Sequence, residues 1–251
     1  MKFNLISAIF VLFLSQTLFA NLDTERLDSL ESALKNFTSS DTSEKHLDLI
    51  YDLGYEWFGN LEDYNKAKFY FQQLKELATL SNNTFYIFEA EALLGDIHYW
   101  LSDFPSAIEY YLSSIEKGQK VSTAEDSAYI FRQLGYVYYN IGNLEKAYDY
   151  YLSSLKIGER IQSKAIIGHF HYADALLDME QNKLPSALQK LKKALAIAEE
   201  LESYYDISDC TAVIGEVYHS MDSLELAIIY KEKSLKMDIE GESQYGIAYC
   251  Y

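Results

Sequence analysis

Five alanines stand 40 residues apart, at Ala67, Ala107, Ala147, Ala187 and Ala227. No other feature limits the fold as tightly. A unit this short cannot bury its own apolar face and is stabilised by stacking on its neighbours. About 12 residues before each alanine comes another small residue: Gly54, Gly95, Gly135, Ala175 and Gly215. Leu53, Leu94 and Leu134 precede the first three glycines, and Ile214 precedes the last. Seven residues after the alanines come Leu74, Ser114, Ser154, Ala194 and Ser234, mostly small. Small residues at fixed places imply two helices whose backbones approach closely. Aromatics such as Tyr138, Tyr151 and Tyr218 fill the volume beside the crossing.

The turn signals agree. Ile141-Gly142-Asn143 separates the two helices of the central unit, and Asp103, Asn143 and Ser223 are N-cap candidates for second helices. Pro105 and Pro185 each stand two residues before a marker alanine, in the first helical turn, where a missing N–H costs little. With only 2 prolines in 251 residues, long uninterrupted helices are expected. The 23 tyrosines suit surfaces that are apolar on one side and wet on the other.

The chain ends carry their own signals. Residues 1–20 have one early lysine, an apolar run from Leu5 to Leu14, and Ala20 at a possible cleavage point. This resembles a secretory signal peptide. An uncleaved anchor is the alternative, but Ser15, Gln16 and Thr17 shorten the run below a bilayer span. Residues 21–45 read as an N-terminal cap helix, with Leu27, Leu30 and Leu34 on one face, and a Ser/Thr/Asp-rich linker. Five repeats follow, at 46–85, 86–125, 126–165, 166–205 and 206–240. Residues 241–251 start a sixth, and the sequence stops before its signature glycine, so the natural protein is expected to continue.

The units resemble the tetratricopeptide repeat family. The resemblance rests on LGYEWF with YNKAKFYF, LGDIHYW with FPSAIEYY, LGYVYY with LEKAYDYY, and IGEVYHS with LELAIIY. The family's usual period is about 34 residues, so the 40-residue period implies the long-helix branch. The fourth unit departs: its first helix, AIIGHFHYADALLDM, lacks LG and reads with a register uncertain by two residues. The implied fold is all-α, a right-handed α-solenoid or superhelix of tandem antiparallel helix pairs. The resemblance also implies a concave face lined by the first helices. Mapped on that register, the partner-binding groove comprises Tyr51, Tyr55, Phe58, Asp96, Tyr99, Tyr129, Arg132, Tyr136, Tyr139, Tyr172, Glu216 and His219. Glu89, His169 and Asp209 lie beside them, His169 on the two-residue shift.

The net charge of −17 argues against nucleic-acid binding. His169 and His171, two apart on a helix, point to different faces, whereas metal-binding helices space ligands four apart, so no metal site is expected. No nucleophile–base set or phosphate loop stands out, and neither catalysis nor a cofactor is expected. Cys210 and Cys250 are 40 residues apart and read as small core residues, a disulfide being the alternative. Family members that grip a C-terminal carboxylate use several basic groove residues. Arg132 is the only one placed here, so neutral or basic apolar ligands are expected.

The expected function is thus an exported, non-catalytic scaffold, periplasmic or on the extracytoplasmic face of a bacterial membrane, that binds a protein or peptide partner. The alternative is the extracytoplasmic sensory region of a larger signalling protein ending in a histidine kinase, nucleotide cyclase or DNA-binding module. Nothing in the sequence sets the oligomeric state.

Overall fold

The computed structural model describes residues 26–60 and 63–240. The expected signal peptide and the start of a sixth repeat lie outside them. After α1 (26–34), α2 (Glu44–Tyr55) runs into a π-helical turn, Glu56–Asn60. Nine more helices follow among the described residues: α3 (Tyr64–Leu80), α4 (Thr84–Trp100), α5 (Phe104–Gly118), α6 (Ala124–Asn140), α7 (Leu144–Ile161), α8 (Lys164–Glu180), α9 (Leu184–Glu200), α10 (Tyr204–Ser220) and α11 (Leu224–Glu240). The fold class is all-α, of the solenoid type, with each first helix packed against the second helix of its own pair. The chain divides into two compact units between Val121 and Ser122.

The local rule behind this order is a 20-residue half-period. Side-chain oxygens of Asp63, Asn83, Asp103, Thr123, Asn143 and Ser163, spaced by 20, each accept a backbone N–H at the start of a helix. These caps satisfy donors that the helix itself leaves open. At the other end, Asn82, Ser102, Gly142, Gln162, Asn182, Glu202 and Asp222 all have positive φ. This left-handed residue reverses the chain after seven of the helices. Only one of the seven is glycine.

Packing explains the marker residues differently from a simple approach of backbones. A Cβ on Gly54 would come within 2.5 Å of the Phe71 ring, and one on Gly95 within 2.6 Å of the Tyr111 ring. At Gly135 it would overlap the Tyr151 ring. Each glycine is therefore the seat of an aromatic side chain from the second helix. The fourth pair has Ala175 at the seat and Leu191 opposite, both fully buried. In the fifth, the Lys231 stem lies over Gly215. In this way Ala175 and Leu191 also fix the register of the fourth repeat: α8 begins 40 residues after α6, with no two-residue shift.

In the first unit, Leu47, Ile50, Phe71, Leu74, Leu94 and Ile97 form the core, and α1 lays Leu27 against Leu49 and Leu53. Its first seat and ring, Gly54 and Phe71, are 17 residues apart, against 16 for Gly95 and Tyr111. The π-helical turn absorbs the extra residue, which is how helices accommodate single insertions. It also buries Glu56 against Arg26 of α1, with Nε to Oε1 2.7 Å. In the second unit, Tyr151 packs with Ala147, Ala173 and Leu177, and Leu191 with Val213, Ile214 and Val217.

Two stability outcomes follow. Gly135→Ala should cost about 1–3 kcal/mol by overpacking, yet little in a Tyr151→Leu background, since Ala175 and Leu191 already coexist at the equivalent place. A denaturant double-mutant cycle measures this, and purely additive losses would rule the seat out. Separately, Glu202→Gly should raise stability by roughly 0.5 kcal/mol. It relieves a left-handed cost of about 1–2 kcal/mol against a glycine entropy cost of about 0.5–1; a lower melting temperature would contradict it.

Candidate functional site

The residues mapped to the groove lie on the first helices but do not share one fate. In the first unit, the Tyr51 hydroxyl donates to Glu89 Oε2 at 3.4 Å, and its ring stacks beside Tyr55. The Tyr86 hydroxyl donates to Asp48, so the two first helices are tied twice. Burial and the Glu89 charge raise the Tyr51 hydroxyl above the ordinary phenol range. Tyr55 is exposed, whereas Tyr99 is half-buried beside Trp100 and Phe104. Asp96 is not a groove residue. It is buried and accepts the Tyr111 hydroxyl at 2.6 Å, which satisfies the ring that Gly95 seats. Phe58 is likewise corrected: the π-helical turn rotates it onto Tyr64 and the core.

In the second unit, Tyr129 is exposed, and Tyr139 donates to Glu180 at 2.9 Å. Glu216 pairs with Lys231 at 3.2 Å, an intra-pair contact at the place where Asp96 meets Tyr111. His219 is exposed. Arg132, Tyr136 and Tyr172 do converge. With His169, Asp206 and Asp209 they surround a hollow of about 100 Å³ bounded by α6, α8, α9 and α10. Its buried wall is Gly168, Ala194, Ala198 and Cys210, with Ala165, Ile197 and Leu201 completing it. A Cβ on Gly168 would press on Ile197 Cγ2 at 3.0 Å, so the glycine lets Ile197 close the wall. A second hollow of about 150 Å³, lined among others by Ala128 and Ile166, shares Arg132 and His169 with the first.

The charges at the mouth are unequally satisfied. Asp206 accepts from Ser203 Oγ at 2.6 Å and lies 3.3 Å from His169 Nε2. The His169 contact, then Ser203 and the Arg132 charge, hold its carboxyl below the ordinary range. Arg132 lies over the Tyr129 ring, 5.4 Å from its centroid, while its Nε is buried without a hydrogen-bond partner. Asp209 has no such support. Its surface is exposed, yet the protein atoms crowding its carboxyl, with the charges of Asp206 and Asp238, outweigh the opposing His169 charge and push it up to about 6. Burial, Asp206 and Asp209 push the Cys210 thiol up to about 12, so it stays protonated and unreactive. Cys250 lies outside the described residues.

Asp206 and the small wall residues were not among the sequence candidates. Tyr129, His169 and Asp209, all placed on this face by the sequence, are spaced by 40, so the fourth repeat needs no two-residue shift to bring His169 there. Two further histidines, His46 and His98, are engaged in packing. His46 stacks on Phe37, and His98 stacks on Tyr110 with Nδ1 2.9 Å from Asp103. Among the described residues no group of histidine, cysteine and carboxylate side chains could hold a metal ion, and no helix is long and apolar enough to cross a membrane.

Residues 130–157 match the family model described as tetratricopeptide repeat. No curated protein matches the chain in sequence. Among solved structures it resembles a Rap protein complexed with competence and sporulation factor, with a TM-score of 0.75 and 14% identity over 100% of this chain and 70% of that one. It also resembles a signal-transduction ATPase (STAND protein) with a tetratricopeptide repeat sensor from Pyrococcus horikoshii (0.70, 18%, 96% of this chain and 36% of that). A third likeness is aspartyl phosphate phosphatase F from Bacillus subtilis (0.68, 15%, 94% and 61%). At these identities the likeness is one of fold. The chain spans about a third of the ATPase and less than two thirds of the phosphatase.

The Asp209 environment has a measurable consequence. Its carboxyl rises from an ordinary 3.8 to about 6 in the folded chain, facing Asp206 on its own helix, Asp238 on α11 and His169 on α8. The folded state then holds this proton more tightly than the unfolded state, so the group's contribution to stability falls as pH rises between those values. Asp209→Asn should therefore raise the melting temperature at pH 7 and lose that advantage at pH 4. An equal shift at both pH values would mean that the carboxylate charge is not the cause.

Proposed function

We propose that this tetratricopeptide-repeat protein is a non-catalytic scaffold that binds peptide segments of a partner along the first-helix face of its second unit. The observation that carries the reading is the hollow between α6, α8 and α10, which stays unfilled while Arg132 Nε and the Asp209 carboxylate beside it lack hydrogen-bond partners among the described residues. Aromatics with polar tips around a concave site are the usual material of peptide recognition. Tyr129, Tyr136 and Tyr172 supply them here, with His219 further along the face. The first unit has spent more of its equivalent groups on internal contacts, leaving Tyr55 as its exposed aromatic contribution from the mapped set. The Rap protein is complexed with competence and sporulation factor, and a ligand held by repeats of this fold supports the same kind of role here.

A second reading makes the chain the sensory part of a larger signalling protein. It is favoured by the likeness to a signal-transduction ATPase with a tetratricopeptide repeat sensor, of which this chain covers 36%. Both readings place the chain outside the bacterial cytoplasm, on the strength of the signal-like residues 1–20.

The interaction face is tested by photo-crosslinking in cells. A benzophenone side chain at Tyr172 or His219 should capture one common partner, and the same group at Tyr148 or Leu226, exposed on second helices, should not. Equal capture from the second-helix positions would reject the assigned face. Mass spectrometry of the mature N-terminus addresses export, which requires the loss of residues 1–20.

A further inference from the structure

The hollow bounded by α8, α9 and α10 is open because the side chains around it are small, and the chain's own repeats show that larger ones fit the same places. Phe85 stands 80 residues before Ala165 and Tyr205 stands 40 after it, and both are exposed at the helix start. Phe88 stands 80 residues before Gly168, where its ring fills the space beside Gly118. The fold gains nothing from an unfilled apolar space, because its wall lacks contact partners on one side. A cavity of about 150 Å³ is known to hold a benzene ring, so about 100 Å³ suits a branched aliphatic side chain.

The charge at the mouth narrows the ligand further. Two carboxylates, Asp206 and Asp209, line the hollow together with one guanidinium, Arg132, and the His169 imidazole. Asp206 is already held by His169 and Ser203, which leaves Asp209 as the acid with no internal partner among the described residues. A basic group entering the mouth would supply that partner. An acidic one would meet two carboxylates on a chain of net charge −17.

We infer that this hollow anchors one leucine- or isoleucine-sized side chain of an extended partner segment, with a neighbouring lysine or arginine of that segment pairing with Asp209. The inference rests on the peptide-binding reading of the same face and names the ligand chemistry that the face selects. The cation stays at the rim because the buried wall is apolar: Gly168, Ala194, Ala198 and Cys210 offer no carboxylate to a charge driven inside. Ile197 and Leu201 give the anchor its apolar contacts.

The test uses the full chain with methyl-labelled isoleucine, titrated with blocked tripeptides and followed by NMR. Acetyl-Lys-Leu-Lys-amide should shift the Ile197 methyl signals saturably. Acetyl-Lys-Ala-Lys-amide and acetyl-Glu-Leu-Glu-amide should shift them weakly or not at all. Asp209→Asn should weaken the Lys-Leu-Lys peptide about fivefold, as expected for a partly exposed ion pair. Ala165→Tyr, a residue the fifth repeat already carries at this place, should block the mouth and abolish the Ile197 shift while the melting temperature stays near that of the parent. If the peptides shift isoleucines elsewhere on the first helices but not Ile197, the pocket assignment fails and peptide binding stands. If all three peptides move Ile197 equally, the proposed selectivity is wrong. If none moves any signal, both readings fall.

Discussion

In three of the helix pairs an aromatic ring from the second helix occupies the space where the first helix would carry a Cβ. Gly54 seats Phe71, Gly95 seats Tyr111 and Gly135 seats Tyr151, and all three rings are almost fully buried. Glycine inside a helix is costly in itself, by about 0.5–1 kcal/mol relative to alanine. Burying a large aromatic side chain is worth roughly 1.5–3 kcal/mol, so the exchange favours the ring. Tyrosine then brings a hydroxyl into the interior. At Tyr111 it is met by Asp96, and this is why an acidic residue follows the glycine there. Where the seat is Ala175, the opposing residue shrinks to Leu191, and no polar partner is required.

The same constraint explains the irregular first repeat. An extra residue between seat and ring would rotate everything beyond it by roughly 100° if the helix stayed regular. The π-helical turn at Glu56–Asn60 takes up that residue, so Ala67 and Phe71 return to phase. Glu56 is carried into contact with Arg26, and Phe58 turns to the core. A small local irregularity is preferred over the loss of one seated ring.

Much of the fold was legible because it depends on small residues at fixed spacing, which a single sequence displays directly. The marker alanines, both prolines and the caps at Asp103 and Asn143 all stand at helix starts or crossings. The left-handed residues were less legible, since six of the seven are not glycine and look like ordinary polar loop residues. The site was legible only in part. Arg132, Tyr136 and Tyr172 line the hollow, but Asp96 and Glu216 were misassigned, because a position that faces solvent in one repeat can be drawn into an ion pair or hydrogen bond by a changed partner 15 residues later. Absent side chains also carry no motif. Ala194 reads as a routine packing residue and Ala165 and Ala198 give no signal at all, although the hollow consists of the space they leave.

Asp209 shows that a surface hollow can carry a group that works against the fold. A carboxylate crowded by protein atoms and by two like charges disfavours its own ionised form, and nothing among the described residues pairs with it. Asparagine at that place would remove the repulsion with no loss of volume. Natural chains tolerate such destabilising groups where a ligand completes them. The neighbouring Asp206 makes the contrast: held by His169 and Ser203, it is internally satisfied and serves to orient the imidazole at the mouth. Two aspartates one helical turn apart therefore stand in opposite states. One is held by the fold, and the other carries its repulsion without a hydrogen-bond partner among the described residues.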